Sequence, residues 1–446
     1  MIELYRHQET ALALLRLHDG FALFMEQGTG KTFPVLFRLA ELAANGRISS
    51  AIVVAPKAVC ASWLDKVGML SDDQREALGG IRLDVVSYDT VWRRSEYDRA
   101  YGAVVLDESH FVKTPSAKRT KACLSLAARA RYRWILTGTP TSNGQLCNLW
   151  SQLAAVDPVV VRARNGRVFV YPRCLGGDSY YKWIERVAYL NKWNKPYKYR
   201  DVASIQEVVG DLSYRITKEE CLDLPEKLPD EILHCEMTPA ARKAYREMMR
   251  SSAIVSLDTL AGNPLTRALR LRQLCSGFID TENGERVEYP CPKEAALREF
   301  VEGFEGKFVV FCEFRRSIDA VGALLDRLGI RHVTLDGRSR GDEWREFQAD
   351  GDVRAIVCQY QSGSAGIDLY AADTCVFYEP TLRSDLLEQA KDRIHRVGQT
   401  RPCGYYHLLT AGTIEHAIYG ALKNYSDFNE ALFDRYIDEY VKGERL

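Results

Sequence analysis

The sequence predicts an α/β fold in two lobes, each a parallel sheet with helices packed on both faces. Three observations lead there. The chain has 446 residues, more than one ordinary hydrophobic core organises, so two domains of about 200 residues each are expected. Short apolar, β-branched runs alternate with helical stretches in two separate series, as strands buried on both faces of a parallel sheet do. A glycine-rich turn, EQGTGKT at 26–32, lies between the first of these strands and a helix, where such a turn can cradle phosphate.

The first series of strands reads FALFM (21–25), AIVVA (51–55), LDVVSY (83–88), AVVLDE (103–108) and RWILTGT (133–139). The second reads FVVFCEF (308–314), HVTLDG (332–337), RAIVCQY (354–360), TCVFYEP (374–380) and YYHLLT (405–410). Between them, residues 150–290 carry more helical patterning and the turn-rich segments LDLPEKLPD and ENGERVEYPCP. The expected organisation is a first lobe over 1–225 with a helical protrusion at about 150–215, a helical insertion and inter-lobe connection over 226–290, and a second lobe over 291–446.

Lysine plus arginine balance aspartate plus glutamate at 60 each, so nucleic-acid binding has to come from a local patch. One candidate patch is SYYKWIERVAYLNKWNKPYKYR at 179–200, six basic residues against one glutamate, interleaved with seven tyrosines and tryptophans. Cations that reach phosphates and rings that stack on bases suit a nucleic-acid strand; a helical hairpin with an aromatic core is the plainer reading. Twelve cysteines occur without a CxxC pair, which suggests neither a zinc site nor a disulfide framework and fits a reducing compartment. The N-terminus has no secretory pattern, and no apolar run approaches the ~20 residues that span a bilayer, so no membrane partner is expected.

In EQGTGKT the backbone N–H groups and the following helix N-terminus would hold phosphates, with Lys31 on the β and γ phosphates and the Thr32 hydroxyl on Mg²⁺. LDESH at 106–110 ends an apolar strand, which brings Asp107 and Glu108 to the carboxyl edge of the sheet, where open α/β sheets bind ligands. One carboxylate can serve the metal shell while the other orients and deprotonates the attacking water. Thr137 and Thr139 flank Gly138 at another strand end and offer small hydroxyls for a nucleotide-state signal. In QAKDRIHRVGQT (389–400), Gln389, Arg393 and Arg396 fall on one stripe of a helix; Leu387, Ala390, Ile394 and Val397 form an apolar stripe, and Gly398 ends the helix.

The order of YRHQ, EQGTGKT, APKAVCASW, VVSYDT, LDESH and LTGTPTSNGQLCNLWSQL, then FVVFCEF, GSAGIDLYAADT and QAKDRIHRVGQTRP, resembles the superfamily-two helicases, and more narrowly the SWI/SNF-type double-stranded DNA translocase ATPases. YRITKEECLDLPEK and LTRALRLRQLCSGF add to the narrower likeness. The resemblance implies two RecA-like lobes, ATP and Mg²⁺ as cofactors, and double-stranded DNA held mainly by its phosphate backbone. It implies ATP binding by Gln8, Gly28, Thr29, Gly30, Lys31, Thr32 and Gln389, with Gln8 on the adenine. Lys31, Asp107, Glu108, Arg393 and Arg396 would be catalytic, the arginines acting on the γ phosphate, and Thr32 and Asp107 would hold the metal. His110, Thr137, Thr139, Gly366 and Asp368 would couple ATP to DNA. Lys57, Ser142, Asn143, Lys182, Lys192, Lys195 and Lys198 are the expected DNA contacts.

The chain departs from the family where Asp368 replaces an asparagine and Leu382 a tryptophan. A compact motor without accessory domains is expected as a monomer in the cytoplasm of a bacterial or virus-infected cell. The expected function is an ATP-dependent DNA translocase or remodelling ATPase. The alternatives are a strand-separating or fork-remodelling helicase, and a nucleotide-gated DNA clamp that does not translocate.

Overall fold

The computed structural model describes residues 2–141, 145–192, 194, 196–254, 259–261, 263–339, 341–363 and 367–441. The chain divides into two compact units, Met1–Asp223 and Leu224–Leu446.

The first unit is built on strands β1 (Gly20–Met25), β2 (Ser50–Ala55), β3 (Arg82–Ser87), β4 (Ala103–Asp107), β5 (Tyr132–Leu136) and β6 (Ser213–Ile216). They form one sheet in the order β6-β1-β5-β4-β2-β3, every pairing parallel. Side chains alternate between its faces, so both faces need cover. Ala22, Phe24, Ile52, Val54, Val104 and Leu106 point into one core, closed by helices that include Lys118–Arg129 and Leu149–Val156. Phe21, Leu23, Met25, Val53, Val105 and Trp134 point into the other, against Arg6–Leu17, Thr32–Ala44 and Lys57–Gly68. The strands predicted from the sequence are all present, three of the five ending one to three residues sooner. That shortening matters for β5, which stops at Leu136 and leaves Thr137 and Thr139 beyond the strand.

The edge strand β6 has no counterpart in the sequence reading. It holds four residues, SYRI, none of them fully buried, so its apolar signal is weak; it is recruited by backbone pairing to β1.

Residues 150–215 were expected to be helical, and the structure corrects this. Between the helices Leu149–Val156, Tyr180–Val187 and Val202–Leu212 lie two antiparallel hairpins, Pro158–Arg162 with Val168–Pro172, and Ala188–Leu190 with Pro196–Tyr199. Runs such as PVVVR and VFVYP are β-branched and aromatic, which favours a pleated strand over a helix.

The second unit has β7 (Glu231–Cys235), β8 (Phe308–Cys312), β9 (His332–Leu335), β10 (Ala355–Gln359), β11 (Thr374–Phe377) and β12 (Gly404–Thr410). Their order is β7-β12-β11-β8-β10-β9, again wholly parallel. Residues 226–290, expected as an insertion and connection, are part of this unit. Strand β7 pairs with β12, and Tyr245, Met248, Leu271 and Leu274 share one core with Val309, Phe311, Ile356 and Phe377. The reason is that helices Pro239–Ser251 and Pro264–Cys275 each carry an apolar face, which a solvent-exposed linker would leave uncovered.

A buried ion pair ties this unit together. Lys293 is fully buried, and its Nζ donates to Glu415 Oε1 at 2.5 Å and to the Tyr378 carbonyl at 2.7 Å. Glu415 also accepts the Thr410 N–H at 2.8 Å, so helices from both ends of the unit meet β11 and β12 through charges. Replacing Lys293 with methionine strands the Glu415 carboxylate, at an expected cost of about 3–5 kcal/mol. The midpoint of urea unfolding checks this; an unchanged midpoint would contradict the role given to the pair.

Candidate nucleotide site and arginine segment

The phosphate cradle is formed where β1 gives way to helix Thr32–Ala44. Gly28 and Gly30 have φ of 82° and 79°, a region that glycine enters without penalty. The loop is braced from beneath: the Gln8 amide donates to the carbonyls of Thr29 (3.2 Å) and Gly30 (3.4 Å), and His7 Nε2 bonds the Thr29 carbonyl at 2.8 Å. Gln8 Oε1 accepts the Tyr5 N–H at 3.0 Å, so both ends of this amide are engaged. Lys31 Nζ donates to the carbonyls of Met25 (3.0 Å) and Glu26 (3.3 Å). The Thr32 hydroxyl accepts from Lys66 Nζ at 3.1 Å.

At the end of β4, Asp107 is buried and accepts from Trp63 Nε1 at 2.7 Å and from the Glu108 N–H at 2.9 Å. Burial and then the Glu108 carboxylate push its acid up from the ordinary range, against the Trp63 hydrogen bond and the charges of Lys31 and Lys66. Such a carboxylate gains from a nearby cation. Glu108 takes φ 50° and ψ 53°, a left-handed conformation that costs a non-glycine residue about 1–3 kcal/mol. This turn carries Glu108 out of line with the strand and onto the side chains of β5's loop. The Thr137 hydroxyl donates to Glu108 Oε2 at 3.3 Å, and His110 Nδ1 lies 3.3 Å from the same oxygen and 3.1 Å from Thr137 Oγ1. Thr137 Oγ1 also accepts the Thr139 N–H at 3.2 Å. One hydroxyl thus connects Glu108, His110 and Thr139.

Two further links surround this group. Ser109 Oγ donates to Gln152 Oε1 at 2.7 Å, and Gln152 Nε2 donates to the carbonyls of Pro140 (2.7 Å) and Asn148 (2.9 Å). A Cβ on Gly138 would lie 3.0 Å from the Gln27 backbone nitrogen, so the TGT turn abuts the phosphate cradle. The oxygens of Thr32 and Asp107 are hard donors suited to Mg²⁺, and the Lys66 ammonium on Thr32 shows that this hydroxyl already faces positive charge. The residues fit the ion.

In the second unit the expected long helix is absent. The helix spans Ser384–Lys391 only, and residues 392–398 are turns, so Gln389, Arg393 and Arg396 are not on one helical stripe. Side-chain bonds to backbone oppose a continuous helix here: Arg393 Nη1 and Arg396 Nη1 both donate to the Ile367 carbonyl, at 3.1 and 2.9 Å, and Arg393 Nε reaches the Gln389 carbonyl at 3.0 Å. Gln399 Nε2 donates to the carbonyls of Ala372 (2.7 Å) and Ile394 (3.1 Å). Gly398 does mark a reversal, at φ 102°. Ile394 is buried as expected, whereas Val397 is exposed. Asp368 forms an ion pair with Arg396, so the residue in which this chain departs from the SWI/SNF pattern touches the arginine itself.

Of the expected DNA contacts, Lys57, Lys182, Lys192 and Lys198 are exposed, Lys182 pairing with Asp178 at 2.7 Å. In the aromatic segment, Trp183 is buried while Tyr181 and Tyr197 are 72% and 67% exposed, so part of it is core and part is surface. Ser142, Asn143, Lys195, Gly366 and Trp193 lie outside the described residues. The sequence reading missed His7, Trp63, Lys66 and Gln152. Trp63 lay in the quoted APKAVCASW and Gln152 in TSNGQLCNLWSQL, but neither spacing shows which carboxylate or loop they reach.

A glycine cradle with lysine and threonine at a helix start, with a carboxylate pair, Asp107 buried and Glu108 partly exposed, at the next strand end but one, defines a P-loop nucleoside triphosphatase. Residues 73–277 match the SNF2-related domain and residues 292–398 the helicase conserved C-terminal domain. The chain belongs to the SNF2-related family of helicase-like ATPases. It is 25% identical to an uncharacterized ATP-dependent helicase of Mycoplasma pneumoniae over 90% of its own length and 39% of that protein's. It is 24% identical to the mouse DNA excision repair protein ERCC-6, over 94% and 32%, and 25% identical to the Arabidopsis thaliana ATP-dependent DNA helicase DDM1, over 87% and 56%. The chain therefore spans less than two thirds of each of these relatives. Among solved structures, the Sulfolobus solfataricus SWI2/SNF2 ATPase core in complex with dsDNA aligns with a TM-score of 0.43 at 22% identity, over 99% of this chain and 94% of that one. Among the described residues no helix is long and apolar enough to cross a membrane.

Thr137→Val tests the hydroxyl hub. It should leave the protein folded, at a cost of about 1–2 kcal/mol for the lost hydrogen bonds, and lower ATP turnover about tenfold with little change in KM, as expected when an interaction acts mainly in the transition state. Steady-state ATPase kinetics with a thermal-melting control distinguish this from a folding defect.

Proposed function

We propose that the chain is a DNA-dependent ATP hydrolase that moves along double-stranded DNA as a monomer. The observation that carries the hydrolytic half is the Glu108 arrangement: a carboxylate turned off its strand by left-handed backbone and bonded to a buried threonine, beside a second buried carboxylate and the P-loop lysine. Glu108 orients a water and takes its proton, while Asp107 and Thr32 hold Mg²⁺, which when bound neutralises charge on the β and γ phosphates. Lys31 exchanges its two carbonyl partners for phosphate oxygens. Gln8 and His7 keep the cradle's carbonyls turned away from the phosphates, and Gln8 Oε1, which accepts the Tyr5 N–H through one lone pair, uses its other to contact adenine. His110, Thr137 and Thr139 report the state of Glu108 to the loop that continues into the expected DNA contacts Ser142 and Asn143.

Arg393 and Arg396 act on the γ phosphate of nucleotide held by the first lobe, and Gln389 assists them. Arginines in this role supply roughly 10³ to 10⁵ in rate. Gly366 and Asp368 couple nucleotide to DNA, and Asp368 does so through its ion pair with Arg396. The DNA half of the proposal rests on the SNF2-related assignment and on the exposed lysines and tyrosines of 180–198. Contacts of this kind grip phosphates, so binding should be salt-sensitive and indifferent to sequence.

The deciding experiment measures ATP hydrolysis without nucleic acid and with duplex DNA, single-stranded DNA or RNA, using Lys31→Ala as the inactive control. Stimulation by duplex DNA is expected; stimulation by RNA alone would overturn the proposal. Arg396→Ala should keep ATP binding, read by a fluorescent nucleotide, and lose hydrolysis by about 10³ or more.

Asp368→Asn addresses the ion pair to Arg396. The pair is partly exposed and such pairs contribute about 0–1 kcal/mol. Removing the carboxylate frees Arg396 for phosphate, so turnover should rise about two- to fivefold. A fall in turnover would show that Asp368 instead holds Arg396 in its working position.

A further inference from the structure

The hairpin Pro158–Arg162/Val168–Pro172 is not used by the nucleotide site. Its base is anchored: Tyr171 packs against Trp150 with ring centroids 5.9 Å apart, and the Arg173 N–H donates to the Asp157 carbonyl at 2.8 Å. Its outer half is largely exposed, although Phe169 stacks on Tyr171 with ring centroids 6.0 Å apart. Val160, Val161, Val168 and Phe169 are 46%, 37%, 55% and 41% exposed, and the two strands pair with no other strand among the described residues. The tip, ARNGR, is a built turn. Ala163 N–H donates to the Arg167 carbonyl at 2.9 Å, Gly166 N–H to the Ala163 carbonyl at 2.9 Å, and Arg167 N–H to Asn165 Oδ1 at 3.1 Å. Gly166 has φ 78°.

Charge singles this hairpin out in a chain of zero net charge. Residues 158–177 contain Arg162, Arg164, Arg167 and Arg173 and no aspartate or glutamate. The guanidiniums of Arg162, Arg164 and Arg167 have no carboxylate partner among the described residues, and all three residues are exposed. Three arginines at the end of an arm suit backbone phosphates. Arginines alone would serve a continuous duplex. The valines and Phe169 beside them would not, because a paired, stacked duplex presents phosphates and groove edges but no base faces. Apolar side chains next to cations fit DNA in which bases have left the stack.

We propose that this hairpin is a probe for unpaired bases in DNA, contacting phosphates through Arg162, Arg164 and Arg167 and base faces through Val168 and Phe169, so that the chain prefers a fork or bubble to a continuous duplex. The inference rests on the DNA-motor reading above and names its substrate class.

Fluorescence anisotropy with a forked oligonucleotide and a continuous duplex of the same sequence tests it. The proteins are the wild type, Arg162→Ala/Arg164→Ala/Arg167→Ala, Phe169→Ser, and a variant in which residues 161–169 are replaced by an Asn-Gly turn between Val160 and Val170. The last keeps the hairpin's base and guards against misfolding of the others. Wild type should bind the fork about tenfold more tightly than the duplex, and each variant should bring that ratio near one. An unchanged ratio in the variants overturns the proposal. A wild-type ratio of one overturns it too, and would leave the apolar arm to a protein surface. Duplex-stimulated ATPase activity, measured separately on wild type, decides the motor reading independently of either result.

Discussion

The first lobe is organised around the problem of holding two carboxylates at the end of a strand buried on both faces. Asp107 and Glu108 repel each other, and burial of Asp107 raises its acid. A buried anion such as Asp107, left without donors beside a second carboxylate, would protonate or destabilise the strand end. The structure resolves this by separating them: Asp107 turns to the Trp63 indole, and Glu108 swings through left-handed backbone to Thr137 and His110. Strand β5 ends at Leu136 so that Thr137 can stand opposite. Helix Lys57–Gly68 is placed so that Trp63 and Lys66 arrive from the other side. Much of the lobe's loop structure follows from supplying these donors.

The second lobe shows the converse case, where cations are accommodated by backbone oxygen. Arg393 is buried and Arg396 partly exposed, and both converge on the Ile367 carbonyl. A continuous helix through 389–398 would occupy the Gln389 carbonyl that Arg393 Nε reaches. Unwinding after Lys391 loses helical hydrogen bonds; the Gln399 amide satisfies the Ile394 carbonyl and ties the segment to the carbonyls of Tyr370 and Ala372. The result is a non-helical segment whose two guanidiniums share one anchor. A shared anchor couples them, so whatever displaces one from Ile367 alters the other.

Much of this was legible in the sequence because it depends on local pattern. Ten strands were readable from apolar runs, since a strand buried on both faces has to be apolar throughout. The cradle was readable because glycine, lysine and threonine are needed in fixed order. The edge strands SYRI and EILHC were not, because neither carries a buried apolar run: every residue of SYRI, and all but Cys235 of EILHC, is at least partly exposed. The helical reading of 389–398 failed for a related reason: periodicity reports which residues could share a helix face, while the carbonyl of Ile367, more than twenty residues earlier, decides whether they do. His7, Trp63 and Gln152 act over comparable distances.

The hairpins inserted in 150–215 follow the opposite rule from the two sheets. Inside the sheets most apolar side chains are buried against two cores on opposite faces. On the arm at 158–172 apolar and cationic side chains stand together without cover, beside a firmly packed base. Folding alone gains little from Val168 or Phe169 at such positions, because exposed apolar surface contributes no burial and unpaired strand edges invite aggregation. The three arginines offset that hazard by repelling other copies of the arm. The same combination gives the arm high complementarity to a polyanion with exposed rings. A rigid scaffold that confines charge to an outlying arm can thus be neutral overall and still engage DNA strongly at one place.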